Sequence, residues 1–511
     1  MNYFKNLLKL ERKEIFFFTF IVVYLVFGLY LCNIINIWED EAYSLNTSSL
    51  DLPGVIRQSY HFEGQPPVYF IVLALWRLIS PGIFFARLLS LFFVGFAALF
   101  FLRIVCIASG NESYKWLVII FLLNPFTVWA ALEIRPYALL IFLSTISIYY
   151  FLLYVIENKK KYLYYFLLIS FIGIYTQYFF VFLIATLAFS LFIYRGWRAF
   201  YSFCLYLIPL VILFIPNLLF ISEHLAMAHS DNPNYSIIER FTLGFKTVQN
   251  ILLAINLFPT EKLFRWSIRI IFFFLFVFTY IKQYNKRHTT SNFNFKKINA
   301  IIIMNAIIVI LFTIYLIITG IKFNDRYMAI EVPLLIMLFM IFKEYTPLIR
   351  NIIFGTISLY FVSLLIYKYS NPIKTYDYQS FAIYVSSIAH IDEPIVLNSN
   401  TISAPFEYYY TGSSPLIPLP DTFKLTENGF QLLIKDTIEL KQLLGSIRSD
   451  SKSILFINDN LVGYSCDLKL TTEMMDKCLN AQYKITLDTT YYGKSRRNYF
   501  RIRRLEYKSR Q

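Results

Sequence analysis

The chain carries apolar runs too long and too numerous for a soluble core, and this constrains its fold more than any motif does. Crossing a bilayer takes about 17–25 apolar residues. With a few runs shorter than that, about eleven candidate spans are read, at 15–37, 83–105, 115–132, 137–156, 162–176, 178–194, 200–221, 265–284, 298–319, 328–343 and 350–367. Hydrophobic residues make up 57% of the 511 positions, with a mean hydropathy of +0.55, more apolar surface than one water-soluble domain can enclose. The expectation is an α-helical polytopic membrane protein. The formal net charge of +15 would suit a nucleic-acid partner. The Lys and Arg residues fall between apolar runs and at the chain ends, however, as the positive-inside rule requires, so the reading is no nucleic acid.

Lys5, Lys9, Arg12 and Lys13 precede the first run, which lacks a small-residue cleavage pattern and reads as an uncleaved anchor with a cytoplasmic N-terminus. Alternation from there puts the basic loops at Lys159-Lys160-Lys161, Arg195/Arg198, Lys282 to Lys297 and Lys343/Arg350 on the cytoplasmic side. The run Pro66 to Ser80 is too short to span, and counting it would reverse every later loop, so an interfacial helix is expected in the first outer loop. From about Tyr369 the composition becomes mixed, with β-like runs at Pro394–Leu397, Ser453–Ile457 and Tyr499–Ile502 and a helical pattern at Ile434 to Ile447. A transmembrane domain, 1–368, is therefore expected to precede a small extracytoplasmic α/β domain, 369–511, in a bacterial-type cytoplasmic (inner) membrane. Cys466 and Cys478 stand as a disulfide candidate on that oxidising side, whereas Cys32, Cys106 and Cys204 lie in or beside spans and read as packing residues. No internal repeat is visible.

This topology assigns five polar segments to the outer face. They are Trp38-Glu39-Asp40-Glu41-Ala42-Tyr43-Ser44, the run His61 to Pro67 with Glu63 and Gln65, Arg87, the run Leu132 to Tyr137 with Glu133 and Arg135, and Asn324-Asp325-Arg326-Tyr327. Tyr175 and Tyr178 flank the outer end of a short pair of spans. Ionisable groups at membrane depth are costly and mark functional sites. Carboxylates beside arginines suit an anionic lipid substrate: an Asp takes a proton from a hydroxyl nucleophile, and the Arg fork holds a departing phosphate.

Trp38 to Ser44, Gln65-Pro66-Pro67-Val68-Tyr69, Ala86-Arg87-Leu88, and Asn124-Pro125-Phe126 leading to Glu133-Ile134-Arg135-Pro136-Tyr137 keep the motif order of a known family. The chain resembles the family 39 glycosyltransferases, GT-C enzymes related to protein O-mannosyltransferases and to the aminoarabinose and galacturonic acid transferases of lipid A and its core. The resemblance covers roughly residues 15 to 370. It implies that Asp40 activates or orients the acceptor, that Glu41 helps set its charge and position, and that Arg87, Glu133, Arg135, Tyr137, Arg326 and Tyr327 line the donor cavity. Glu63, Gln65, Tyr175 and Tyr178 complete the candidate substrate-binding set. Gln65 and Gln177 stand where relatives often carry His. An amide is a poor transition-metal ligand, so a divalent ion is possible but unsupported by the sequence, and no cofactor is assigned.

Each residue also has a plainer reading. The acidic run serves as the outer flank of a positive-inside span, Arg87 and Arg135 snorkel to headgroups, the tyrosines join an interfacial belt in a chain with 40 Tyr, and His61, His224 and His229 are solvated. No phosphate-cradling Gly-Lys-Ser/Thr loop or Gly-x-Gly-x-x-Gly turn occurs, which argues against a nucleotide-sugar donor. The expected function is transfer of a sugar from a polyprenyl-phosphate donor to an acceptor hydroxyl of lipid A or core, another glycan or a protein, by an inverting single displacement. The alternatives are a transporter or flippase of lipid-linked sugars, or a polysaccharide polymerase or ligase.

Overall fold

The computed structural model describes residues 12–109, 116–228, 236–254, 262–286, 292–319, 325–398, 400–419, 425–426, 429–430, 437–447, 452–459, 472–494 and 498–507. The chain forms two compact units. One comprises Met1–Asn33, Val55–Tyr60 and Gly64–Ser370; the other comprises Ile34–Gly54, His61–Glu63 and Asn371–Gln511.

The first unit is helical. Its elements are α1 (Arg12–Ile34), and after α2 (Glu39–Thr47) and α3 (Leu52–His61), α4 (Val68–Arg77), α5 (Ile83–Ser109), α6 (Trp116–Leu123), α7 (Pro125–Ala131), α8 (Tyr137–Glu157), α9 (Lys160–Ile174), α10 (Phe180–Arg195), α11 (Trp197–Ala228), α12 (Ile237–Leu253), α13 (Lys262–Lys286), α14 (Asn292–Thr319), α15 (Val332–Met337) and α16 (Pro347–Tyr369). Each of the eleven apolar runs is largely helical, and among the described residues six helices, in α5, α8, α11, α13, α14 and α16, are long and apolar enough to cross a membrane. The helix α1 qualifies when counted with α2. The remaining runs are short or broken for local reasons. Pro125 lacks the N–H that would carry α6 onward, and Asn124 restarts the helix by accepting from the N–H groups of Phe126 and Thr127 at 3.0 and 3.2 Å. The late run divides into α15 flanked by 3-10 turns at Asp325–Glu331 and Leu338–Glu344. The run Pro66 to Ser80 contains α4, ten residues with Tyr69, Phe70 and Leu73 buried and Leu75 exposed, too short to cross a membrane.

The second unit holds a five-stranded sheet in the order β2-β1-β5-β7-β6, built from β1 (Ile395–Asn398), β2 (Leu416–Leu419), β5 (Ser453–Asp459), β6 (Tyr483–Tyr491) and β7 (Phe500–Tyr507), with a separate ribbon of β3 (Leu425–Thr426) and β4 (Gly429–Phe430). The strands β2, β1 and β5 run parallel, and β7 and β6 add antiparallel. Every residue of β1 and β5 is buried, as a parallel sheet covered on both faces demands. One face packs on α19 (Thr437–Ser446) and α20 (Thr472–Gln482) through Leu440, Leu444, Met475 and Leu479. The other packs on α17 (Tyr378–Ile388), where Phe381 stacks on Phe500 at 3.9 Å, and on α18 (Ser403–Glu407) through Phe406. Buried charges in this sheet are paired: Arg503 reaches Asp476 at 2.5 Å and Asn458 at 2.9 Å, and Glu393 reaches Arg504 at 2.8 Å. Cys478 is buried on α20, whereas Cys466, and with it the proposed disulfide, lies outside the described residues, as do Asn324 and His229.

Phe456 lies at the centre of this core, fully buried. Phe456→Ala is expected to cost about 3–5 kcal/mol, the range for truncating a buried aromatic, read as a lower thermal transition of the full chain; an unchanged transition would contradict the packing described.

Candidate functional site

The acidic run forms the first turn of α2. Trp38 is extended, and its carbonyl accepts from the N–H groups of Glu41 and Ala42, so Glu39, Asp40 and Glu41 occupy the positive end of the helix dipole, beside N–H groups that have no intrahelical partner. Three carboxylates together would repel one another without further partners. Chain from beyond the last apolar helix supplies them.

Glu41 is fully buried and pairs with Lys374 Nζ at 2.7 Å. Glu39 accepts from Tyr378 Oη at 2.5 Å and Thr375 Oγ1 at 3.2 Å. Burial pushes the Glu39 carboxyl up to about 7, the Asp40 charge adds to the rise, and the Tyr378 and Thr375 hydrogen bonds oppose it. The approach to the helix is held as firmly. Asn36 accepts from the Lys374 N–H at 2.8 Å and donates to the Tyr376 carbonyl, while Ile37 N–H donates to Tyr409 Oη at 2.9 Å. Tyr408 Oη donates to Asn46 Oδ1 at 2.9 Å, at the far end of α2. Glu63 accepts from Thr47 Oγ1 at 3.2 Å, and Tyr43 packs edge-on against Phe62 at 5.0 Å. Asp40 lies half-buried between the two clamped carboxylates, its backbone carbonyl accepting from Ser44 Oγ.

The other candidates belong to the helical unit. Arg87 is fully buried in α5 and donates to the Cys32 carbonyl at 3.3 Å, satisfying an acceptor in the last turn of α1. Ser90 Oγ, one turn on, donates to the Glu133 carbonyl at 2.6 Å, which brings the Arg87 and Glu133 segments together. Glu133 and Arg135 are also buried, so neither Arg87 nor Arg135 extends outward as a snorkelling side chain does. Tyr137, at the start of α8, stacks on Trp129 at 5.0 Å.

A second grouping surrounds the turn between α9 and α10. Val68 N–H donates to the Tyr175 carbonyl at 3.1 Å, which ties the segment after Gln65 to this turn. Phe179 stacks on Tyr327 at 5.0 Å, and the Arg326 guanidinium stands 6.0 Å from the Tyr327 ring centre. Asp325 turns its carboxylate to Thr247 and Asn250 of α12, at 2.8 and 3.1 Å. The five segments thus fall into two sets, with Asp40, Glu41 and Glu63 in one unit and Gln65, Arg87, Glu133, Arg135, Tyr137, Tyr175, Tyr178, Arg326 and Tyr327 in the other. Sequence reasoning missed Lys374, Thr375 and Tyr378, which carry no motif. Among the described residues no three His, Cys, Asp or Glu side chains come together as a metal-ligand set.

The helical unit also contains an apolar cavity of about 210 Å³ between α1, α5, α7 and α16, lined by residues such as Phe27, Leu31, Leu91, Val128 and Leu365. Its floor is shaped by Gly28, where a Cβ would meet Leu91 Cδ1 at 2.5 Å.

No family model and no curated protein matches the sequence. Among the solved structures that match along nearly the whole chain are two of one protein. One is ArnT from Cupriavidus metallidurans in the apo state, 11% identical, with a TM-score of 0.56 over 96% of this chain and 97% of that one. The other is the same protein bound to undecaprenyl phosphate, 12% identical, with a TM-score of 0.53 over the same shares of the two chains. The chain shares the fold of that ArnT, apolar helices followed by a small C-terminal sheet domain.

Two outcomes follow from the clamp. Lys374→Met leaves Glu41 buried without that ammonium and is expected to cost about 3–5 kcal/mol, with part recovered by adding Glu41→Gln; thermal unfolding of both variants checks this. Glu39, raised in the folded state, holds a proton that the unfolded chain releases above its ordinary value of 4.5. Stability should therefore fall as pH rises from about 4.5 to about 7 and then level off, and Glu39→Gln should remove that slope from unfolding curves taken across the range.

Proposed function

We propose that the chain is a membrane glycosyltransferase that moves a sugar from a polyprenyl-phosphate donor to an acceptor hydroxyl on the extracytoplasmic face. The observation that carries this reading is the fold shared along 96% of the chain with a protein one of whose structures holds undecaprenyl phosphate. The apolar cavity beside α1 supports it, since a polyisoprenoid tail needs a groove without hydrogen-bonding demands.

In this reading the reaction is a single displacement. An acceptor hydroxyl oxygen forms a bond to the anomeric carbon while the bond from that carbon to the phosphate oxygen breaks. The hydroxyl proton passes to Asp40, the electron pair leaves with polyprenyl phosphate, and the anomeric configuration inverts. Glu41, held by Lys374, keeps the helix and its neighbouring Asp40 in place. Arg87, Arg135 and Arg326 are the candidates for the leaving phosphate, with Glu63, Gln65, Glu133, Tyr137, Tyr175, Tyr178 and Tyr327 around the substrates. Positioned proton acceptance contributes about 100- to 10,000-fold, and a donor cluster facing the developing phosphate adds stabilisation without a covalent enzyme intermediate. The acceptor is a hydroxyl of lipid A or its core, of another glycan or of a protein.

Asp40→Asn is expected to lower transfer of labelled sugar from polyprenyl-phosphate donors in membranes by about 100-fold or more, with the protein folded and present at the wild-type level. Full turnover by that variant would remove Asp40 from the chemistry.

A further inference from the structure

Two acidic residues flank Asp40 on α2, and their charges are met in different ways. Glu41 has Lys374 Nζ at 2.7 Å, an ammonium that cancels its charge. Glu39 is half-buried and has two hydroxyl donors, Tyr378 Oη at 2.5 Å and Thr375 Oγ1 at 3.2 Å, neither of which carries a charge. The proposed chemistry gives roles to Asp40 and Glu41 and none to Glu39. On its own helix Glu39 stands with Asp40, Glu41 and Tyr43. The chain entering α17 brings Lys374, Tyr376 and Tyr378, while Asp377 turns to the N–H groups of Ser380 and Lys494. The residues His61 to Glu63 meet α2 through Glu63 and Phe62, and Tyr408 and Tyr409, just past α18, meet it with neutral phenols. Among these groups Lys374 is the one permanent cation, and it sits on Glu41.

A carboxyl held by hydroxyls alone keeps the choice between its charged and neutral forms open. Burial and the Asp40 charge work against the ionised form, the two hydroxyls favour it, and the balance sets its ionisation at about 7. Successive side chains on a helix point in different directions, so Glu39 reaches Asp40 through its field rather than by contact. Such coupling is mutual. If the Asp40 charge raises the proton affinity of Glu39, a charge on Glu39 raises that of Asp40 equally. A base of higher proton affinity takes the proton of an attacking hydroxyl more readily. Glu41 adds little to this field, because its charge faces an ammonium 2.7 Å away.

We propose that Glu39 is a positioning residue for the transfer reaction: its carboxylate, paired with hydroxyls and with no cation, strengthens Asp40 as the acceptor of the hydroxyl proton. The role rests on the reading of the chain as a transferase with Asp40 as base. It adds which neighbour tunes that base, and it gives Tyr378 and Thr375 of the sheet unit a hand in the tuning through their bonds to Glu39.

The test is the pH profile of sugar transfer by the full chain in membranes that supply the acceptor, with labelled polyprenyl-phosphate sugars extracted from those membranes as donor. Initial rates at limiting donor follow kcat/KM and report groups of the free enzyme. Each variant is taken as a ratio to wild type at the same pH, which cancels titration of the substrates. The ratio for Glu39→Gln, neutral at every pH, is expected to fall about threefold as pH rises through about 7, the change that one pKa unit in a base produces when proton transfer is about half complete in the transition state. Tyr378→Phe removes a hydroxyl that favours the ionised form and should carry the wild-type rise to higher pH without abolishing it. Thr375→Val should do the same. Lost packing alone would lower the rate equally at every pH. A constant ratio for Glu39→Gln, or a rise that Tyr378→Phe leaves in place, would overturn the role and leave Glu39 as a structural member of the clamp. No transfer at any pH by folded wild type would instead remove the transferase reading, and full turnover by Asp40→Asn would remove the base through which Glu39 acts; the role falls with either.

Discussion

The buried pair between Glu41 and Lys374 is the contact on which the proposed chemistry depends most. A carboxylate with no exposed surface needs a counter-charge, and the chain places that charge 333 residues away, just past its last apolar helix. Around the pair, Tyr378 and Thr375 hold Glu39, Asn36 and Tyr409 hold the approach to α2, and Tyr408 holds its far end. The sheet domain is thereby more than an appendage. It folds as one compact unit with the acidic helix, and its α17 begins at the residue that bonds Glu39.

The same economy of charge runs through the helical unit. Arg87 caps the carbonyl of Cys32, Asn124 restarts a broken helix and bonds the Ile251 carbonyl at 2.9 Å, and Asn305 bonds the Leu334 carbonyl at 3.1 Å. Without water, backbone breaks at this depth are tolerated only where protein groups complete the hydrogen bonding. Those breaks are also where the motif residues cluster, since α6 to α8, the turn at Tyr175 and the 3-10 segment at Asp325 each interrupt a run that would otherwise continue as one helix.

Much of the architecture was legible in the sequence because hydropathy and local turn chemistry act over short distances. The apolar runs became helices, Pro125 after Asn124 marked a true break, and the β-like runs at Ile395 and Ser453 became fully buried parallel strands. The number of full-length spans was less legible, because shortened and 3-10 segments have the same composition as long ones. The partners of the acidic run could not be read at all. Lys374 and Tyr378 look like ordinary residues after a last span, and only tertiary folding brings them to Glu41 and Glu39. The candidate arginines were visible as charges in apolar surroundings, yet the burial of Arg87 and Arg135, and the capping done by Arg87, depend on how helices pack rather than on their spacing.

Whether this fold performs transfer, rather than carrying a lipid-linked sugar across a bilayer, turns on one bond. The decisive measurement follows the fate of an isotopically labelled undecaprenyl-phosphate sugar given to the purified chain in liposomes that contain acceptor. The account predicts release of undecaprenyl phosphate in step with the appearance of sugar on the acceptor. Recovery of the donor intact on the opposite leaflet, with the bond between sugar and phosphate unbroken, would contradict it.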